Sequence, residues 1–143
     1  AIAGVKALGK PVLAEDAGLS IEGLNGAPGV YSARFATAHG GYPETFKYIN
    51  EQLTSDKSRN AFYTSIMVLA YSEDEYYVFK GYMHGKIALE ASGLNALGYN
   101  PIFIPNGFDK TLGHISDETK NKISHRSQSI HKVYEFLKDK KGE

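Results

Sequence analysis

Two adjacent carboxylates, Glu15 and Asp16, follow a short apolar run, Pro11-Val12-Leu13-Ala14, and precede two small residues, Ala17 and Gly18. Val and Leu followed by acids and Gly read as a buried strand ending at a site. Ligands in α/β sheets collect outside the carboxyl ends of strands, and carboxylates there can hold Mg²⁺ or accept a proton. On the dipeptide alone, a solvated turn is the ordinary meaning. A second centre is Ser124-His125-Arg126, with Lys120 one helical turn before it. Lys120 and Ser124 stand at i, i+4, so the ammonium can share a face with the motif. Spacing alone fits a basic helix junction with solvated charges equally well. Ser124 suits a cap better than a nucleophile, because a Ser-His step lacks the third orienting group of a triad.

The elements that must position these groups follow from punctuation and periodicity. Residues 1–9 read as the end of a helix, with Gly9 as its stop. The first strand then opens at Lys10-Pro11 and divides into the run Pro11–Ala14 and a second short piece, Leu19-Ser20-Ile21. Gly26-Ala27-Pro28-Gly29 is a turn; it has neither the helix-opening Gly pattern nor the lysine of a phosphate-binding loop. Pro43 fits a first helical turn, and Phe46, Ile49 and Leu53 predict a sheet-covering helix over 43–54. Asn60–Tyr71 is rich in β-branched and aromatic residues on both faces, which predicts a central, doubly covered strand. Tyr76–Leu89 alternates, with Tyr77, Phe79, Met83 and Ile87 on one face and Lys80, His84 and Lys86 on the other. The two strands form an antiparallel hairpin. Residues 93–107 are loop, with a short strand at 102–104. Ser116 caps a helix that opens with Asp117 and Glu118 and runs to about Ile123. A last helix starts near Arg126, with a core stripe of Ile130, Val133, Tyr134 and Leu137.

Composition narrows the class. The chain has 143 residues, enough for one domain with a real core. Sixteen basic residues balance sixteen acidic ones, so nothing points to a duplex or an acidic membrane as partner. Cysteine is absent, which excludes a disulfide framework and thiol catalysis and fits a reducing cytosol. No apolar run approaches the ~20 residues of a membrane helix, and no signal peptide is visible.

Two long stretches carry a family resemblance. EDAGL followed by GLNGAPGVYSARF, and LGYNPIFIPNGFDKTLGHISDETKNKISHRSQSI over 97–130, together resemble the inosine triphosphate pyrophosphatases, the XTP/dITP diphosphatases. The resemblance implies an α/β fold with an elongated mixed sheet flanked by helices. It implies Asp16 as general base, Glu15 and Asp16 as ligands of Mg²⁺, and Lys120, His125 and Arg126 as substrate contacts. Arg carries donors only, so Arg126 suits the 6-keto oxygen of inosine or xanthine and not the amino group of adenine. The base pocket falls on Leu97, Gly98, Tyr99 and Asn100, with Ala17 beside the acids. Leu97 stands where the family has an aromatic, Asn100 where it has an acid, and Ala17 where Ser is usual. Tyr99 fits the side of a bound base and fits ordinary core nearly as well.

The resemblance covers nearly the whole chain as a single domain, residues 1–143. The family's N-terminal strand and Ser/Thr-x-Asn-x-x-Lys loop find no match in residues 1–10. The implied activity is hydrolysis of ITP, dITP and XTP to monophosphate and pyrophosphate in the cytoplasm, by a homodimer. The alternative is a nucleotide-binding or subunit-associating remnant without catalysis.

Overall fold

Strand β3 (Asn60–Ala70) and strand β4 (Tyr76–Ile87) are the long β-branched and aromatic runs, and a polar turn folds them into a hairpin. In the computed structural model, which describes residues 9–29, 31–94 and 97–141, this hairpin is the spine of a five-stranded sheet. Strand β1 (Val12–Ile21) lies along the other side of β3. The short β2 (Pro28–Gly29) and β5 (Phe103–Pro105) complete the order β2-β1-β3-β4-β5. Every pairing among these strands is antiparallel.

Strand β1 corrects the expectation of two pieces around an acidic break. It is continuous, and its register runs from Val12 opposite Ala70 to Ile21 opposite Ala61. The unbroken ladder offered by β3 overrides the weak strand preference of Glu-Asp-Ala-Gly. The carboxylates therefore sit in mid-strand, not at a strand's end. Strand β2 meets β1 only at Leu19 and Ser20, so the outer edge of β1 from Val12 to Gly18 has no described partner.

Four helices are described: α1 (Ser32–Ala38), α2 (Tyr42–Gln52), α3 (Asp117–Ile123) and α4 (His125–Lys141). Helix α2 matches the expected 43–54 segment, and its Phe46 and Ile49 are buried against the sheet. Ser116 caps α3 as its sequence predicts, accepting from the Thr119 N–H at 3.2 Å. The expected helix end over 1–9 lies, apart from Gly9, outside the described residues.

The core occupies one face of the sheet. Leu19, Ile21, Met83 and Ile87 point into it and meet Phe46, Ile49, Ile102, Phe103 and Leu112. The opposite face, carrying Phe62, Ile66, Val78, Tyr82 and His84, is covered by no described element; Val78 and Tyr82 are exposed. Strand β3 is thus central in order but covered on one side only, which corrects the doubly covered expectation.

The stripe expected on α4 is also corrected. Val133 is buried, but Ile130, Tyr134 and Leu137 are exposed. The helix instead sets Ser129, Val133 and Phe136 against the sheet, with Lys140, itself exposed, at the next position of the same stripe. Ser129 is fully buried. The Phe136 ring lies 4.5 Å from that of Tyr77, and the Lys140 ammonium sits 4.1 Å from the centroid of Tyr71. A Ser and a Lys within it disguise the true stripe in the sequence.

Candidate functional site

Helix α4 begins in contact with the sheet, and a glycine permits it. A methyl group built at Gly81 of β4 would overlap the His125 carbonyl. With only hydrogen there, the first turn of α4 rests on β4 and brings His125 and Arg126 over the sheet. Ser124 caps this turn, accepting from the Ser127 N–H at 3.1 Å, as its sequence context suggests. The His125 ring stacks on Tyr63 with centroids 4.8 Å apart and planes 12° apart. Tyr63 in turn meets Phe103 edge-on at 4.7 Å. Burial pushes the His125 imidazolium down to about 4; the Arg126 and Lys120 cations add to this and Glu15 opposes it. The ring is therefore neutral near pH 7. Its Nδ1 is buried without a hydrogen-bond partner.

These groups border a cavity of about 500 Å³ on the core face of the sheet. Its floor is Ala17, Gly18 and Leu19 of β1 with Tyr63 and Met83. One wall is Leu97-Gly98-Tyr99-Asn100. The other is Lys120, Asn121 and the turn from Ser124 to Ser127. The fold thus gathers Ala17, Leu97, Gly98, Tyr99, Asn100, Lys120, His125 and Arg126 around one space. Tyr99 is buried and packed as core: its hydroxyl donates to the Ser32 carbonyl at 2.6 Å, and Tyr42 meets its ring edge-on at 5.1 Å. Asn100 is buried beside it, whereas Leu97 is 73 % exposed on the rim. Lys120 pairs loosely with Asp117 at 4.0 Å.

The two acids separate. Neighbours on a regular strand point to opposite faces. Glu15 shares the cavity's face and is held by Arg126: Nε donates to Oε1 and Oε2 at 2.9 and 3.0 Å, and Nη2 lies 2.7 Å from Oε1. Ser65 donates to Oε2 at 3.0 Å. Asp16 pairs with Ile66 on the other face and is exposed. Glu15 and Asp16 therefore do not converge on one ion, which corrects the expectation that they share a metal. Glu15 already accepts from a cation and a hydroxyl, so it does not fit a Mg²⁺ ligand. Asp16 does fit: Mg²⁺ keeps several waters and needs only one or two carboxylates from the protein. Among the described residues no group of three or more His, Cys, Asp and Glu forms a closed metal cage.

Other residues at the site escape sequence reasoning. Ser32 accepts from the Leu19 N–H at 2.9 Å and donates to the Gly29 carbonyl at 2.6 Å, tying the turn after β1 to the cavity floor. Its place in the SAR triplet was the available signal. Tyr63 and Ser65 are ordinary strand residues by sequence, and only the crossing of α4 over β3 gives them a site role.

Comparison with known proteins adds the family. The model of the Ham1 family matches residues 1–136. The chain is 42% identical over 134 residues to a dITP/XTP pyrophosphatase of Nautilia profundicola, covering 91% of this chain and 67% of that protein. A dITP/XTP pyrophosphatase of Staphylococcus aureus is 37% identical over 140 residues, 98% of this chain and 72% of that protein. The Ham1 protein of Staphylococcus aureus superposes with a TM-score of 0.87 at 37% identity, over 96% of this chain and 72% of that one. A nucleoside-triphosphatase, dITP/XTP pyrophosphatase, of Mycobacterium abscessus gives 0.79 at 34% identity, over 92% and 68%. The chain spans about two thirds of the length of such relatives, from 60% to 72%.

Proposed function

The chain belongs to the Ham1 family, and from that premise we propose that it hydrolyses non-standard purine nucleoside triphosphates. Its reaction is NTP plus water to NMP plus pyrophosphate, on ITP, dITP and XTP, cleansing the nucleotide pool in the cytoplasm. The observation that carries this reading is the cavity where β1, the 97–100 segment and the α3–α4 junction converge. It combines two cations, Lys120 and Arg126, with the buried Tyr99-Asn100 step. The names of the relatives support the substrate class.

In this reading the base enters between the 97–100 wall and His125. Arg126 offers N–H donors to the 6-keto oxygen, for which the amino group of adenine is no acceptor. Neutral His125, stacked on Tyr63, adds no charge at the base. Lys120 neutralises phosphate. The phosphate tail crosses the small residues Ala17 and Gly18 and rounds the open edge of β1 to reach Asp16. Asp16 accepts a proton from the attacking water and is the carboxylate that would hold Mg²⁺. Bound there, the ion supplies neutralisation of charge on the phosphate oxygens. The chain acts as a single domain and as a homodimer.

A second reading is a nucleotide-binding or subunit-associating remnant without catalysis. The placement of Asp16 on the face away from the cavity favours it. The deciding experiment incubates the protein with ITP, XTP or ATP and Mg²⁺ and follows pyrophosphate release, with light scattering for its mass. Release from ITP and XTP well above ATP supports the pyrophosphatase. Thermal stabilisation by ITP without release selects the second reading.

A further inference from the structure

The carboxylate of Glu15 belongs to a ring of close polar contacts that begins and ends on Arg126. The Arg126 guanidinium grips Glu15 through Nε and Nη2. Ser65 contacts Glu15 Oε2 at 3.0 Å. Ser65 and Ser129 hydroxyls lie 2.7 Å apart, and Ser129 Oγ lies 3.0 Å from the Arg126 carbonyl oxygen. Both serines are fully buried.

From this circuit we infer that Ser129, Ser65 and Glu15 form a positioning relay that fixes the Arg126 guanidinium at the cavity wall. The inference rests on the reading of Arg126 as the base-reading residue. The Arg126 side chain is 60 % exposed. A long, exposed arginine loses rotamer freedom whenever it is used, so a residue meant to read one oxygen gains from being held beforehand. Glu15 takes the Nε edge side-on, which leaves Nη1 and one Nη2 hydrogen free as donors.

Proton counting gives the relay a direction. Two hydroxyls own two protons but face three contacts, so one contact carries no hydrogen bond. The Arg126 carbonyl belongs to the first turn of α4 and already receives the N–H four residues on, at Ile130. The ionised Glu15 gains most from a donor, because charge-assisted bonds are the stronger ones. Ser129 therefore donates to Ser65, and Ser65 donates to Glu15. In this order the Ser65 oxygen is polarised by its neighbour and strengthens its own bond to the carboxylate. Ser65 is the indispensable link, while Ser129 only reinforces it.

The test uses nucleotide-free protein first, so that it stands apart from catalysis. The ¹⁵N relaxation of the Arg126 Nε–H is measured in wild type and in Ser65→Ala. The wild-type group is expected to be as ordered as the backbone and the variant's to be mobile. Ser65→Cys keeps the volume and weakens the donor, and serves if the alanine variant does not fold. Kinetics follow. Ser65→Ala is expected to raise KM for ITP about tenfold, as for one lost charged hydrogen bond, with little change in kcat. Ser129→Ala has the smaller effect. In an Arg126→Ala background the Ser65 substitution is expected to change nothing further, which a general packing role would not show. An unchanged Nε order parameter in both Ser65 variants overturns the relay, as does an equal Ser65 effect with and without Arg126. A mobile Nε with an unaltered ITP-to-ATP preference upholds the relay and removes Arg126 from base reading instead.

Discussion

Replacing Gly81 with alanine isolates the contact that carries α4 over the sheet. A Cβ at that position would stand 2.8 Å from Gln128 Cβ and closer still to the His125 carbonyl. Carbon atoms prefer roughly 3.5–4.0 Å, so the helix start must retreat by about 1 Å. Forcing an extra methyl into a packed contact costs about 1–3 kcal/mol. Alanine's better fit to a strand returns a few tenths of a kcal/mol at most. The net loss is about 1–2 kcal/mol, or roughly 3–8 °C in Tm for a chain of this size. The second effect is functional. His125 and Arg126 ride on the displaced turn, and a misplacement of about 1 Å can cost up to 100-fold in rate. Calorimetry and ITP turnover would measure the two losses together, with kcat/KM expected to fall at least tenfold. A variant with unchanged Tm and unchanged kcat/KM would mean that α4 does not rest on β4 at Gly81, and the positioning argument would fall.

Asp16→Asn is expected to lower kcat by about 100-fold or more, the range for a lost general base, while circular dichroism stays native because the side chain is exposed; near-normal turnover would take Asp16 out of the reaction. Arg126→Ala should reduce kcat/KM for ITP more than for ATP, whereas an equal loss on both would assign Arg126 to phosphate or structure. His125 gives a pH dependence: its folded value, about 4, lies below the unfolded value near 6.5. The unfolded chain thus binds the extra proton between these values, so this stability is complete above about pH 6.5 and lost as pH falls toward 4. The loss is roughly 3 kcal/mol, and urea midpoints at pH 7 and pH 4.5 should differ less in His125→Asn than in wild type. Equal pH sensitivity in the two would refute the assignment to His125.

Local chemistry made part of this molecule legible. The β3–β4 hairpin follows from two β-branched and aromatic runs around a polar turn, and the start of α3 from Ser116 with Asp117 and Glu118 behind it. The residues around the cavity were reached through the family resemblance of two stretches, not through their spacing, which fitted solvated charges equally well. What was hidden depends on partners far away in sequence. The continuity of β1 is decided by β3, not by its own acidic, glycine-containing middle. The inward stripe of α4 includes Ser129, whose burial makes sense only once Ser65 stands below it. The opposed directions of Glu15 and Asp16 follow from strand geometry, but the pairing of Glu15 with Arg126, 111 positions away, does not.

The outer edge of β1 has a further consequence. From Val12 to Gly18 every second backbone N–H and C=O points away from β3 with no described strand to receive it. Such an edge is a template on which another extended chain can grow. Two copies meeting there antiparallel, with like faces aligned and centred on the acids, would set Glu15 against Glu15 or Asp16 against Asp16. Like charges directly opposite disfavour a ladder. Glu15 is already neutralised by Arg126, so the guard is chiefly Asp16, bare on the other face. The carboxylate proposed as the general base would thus also disfavour this antiparallel self-pairing. Its protection weakens as salt shortens the reach of its charge, and a variant made to silence catalysis would also be the one most inclined to stick to itself.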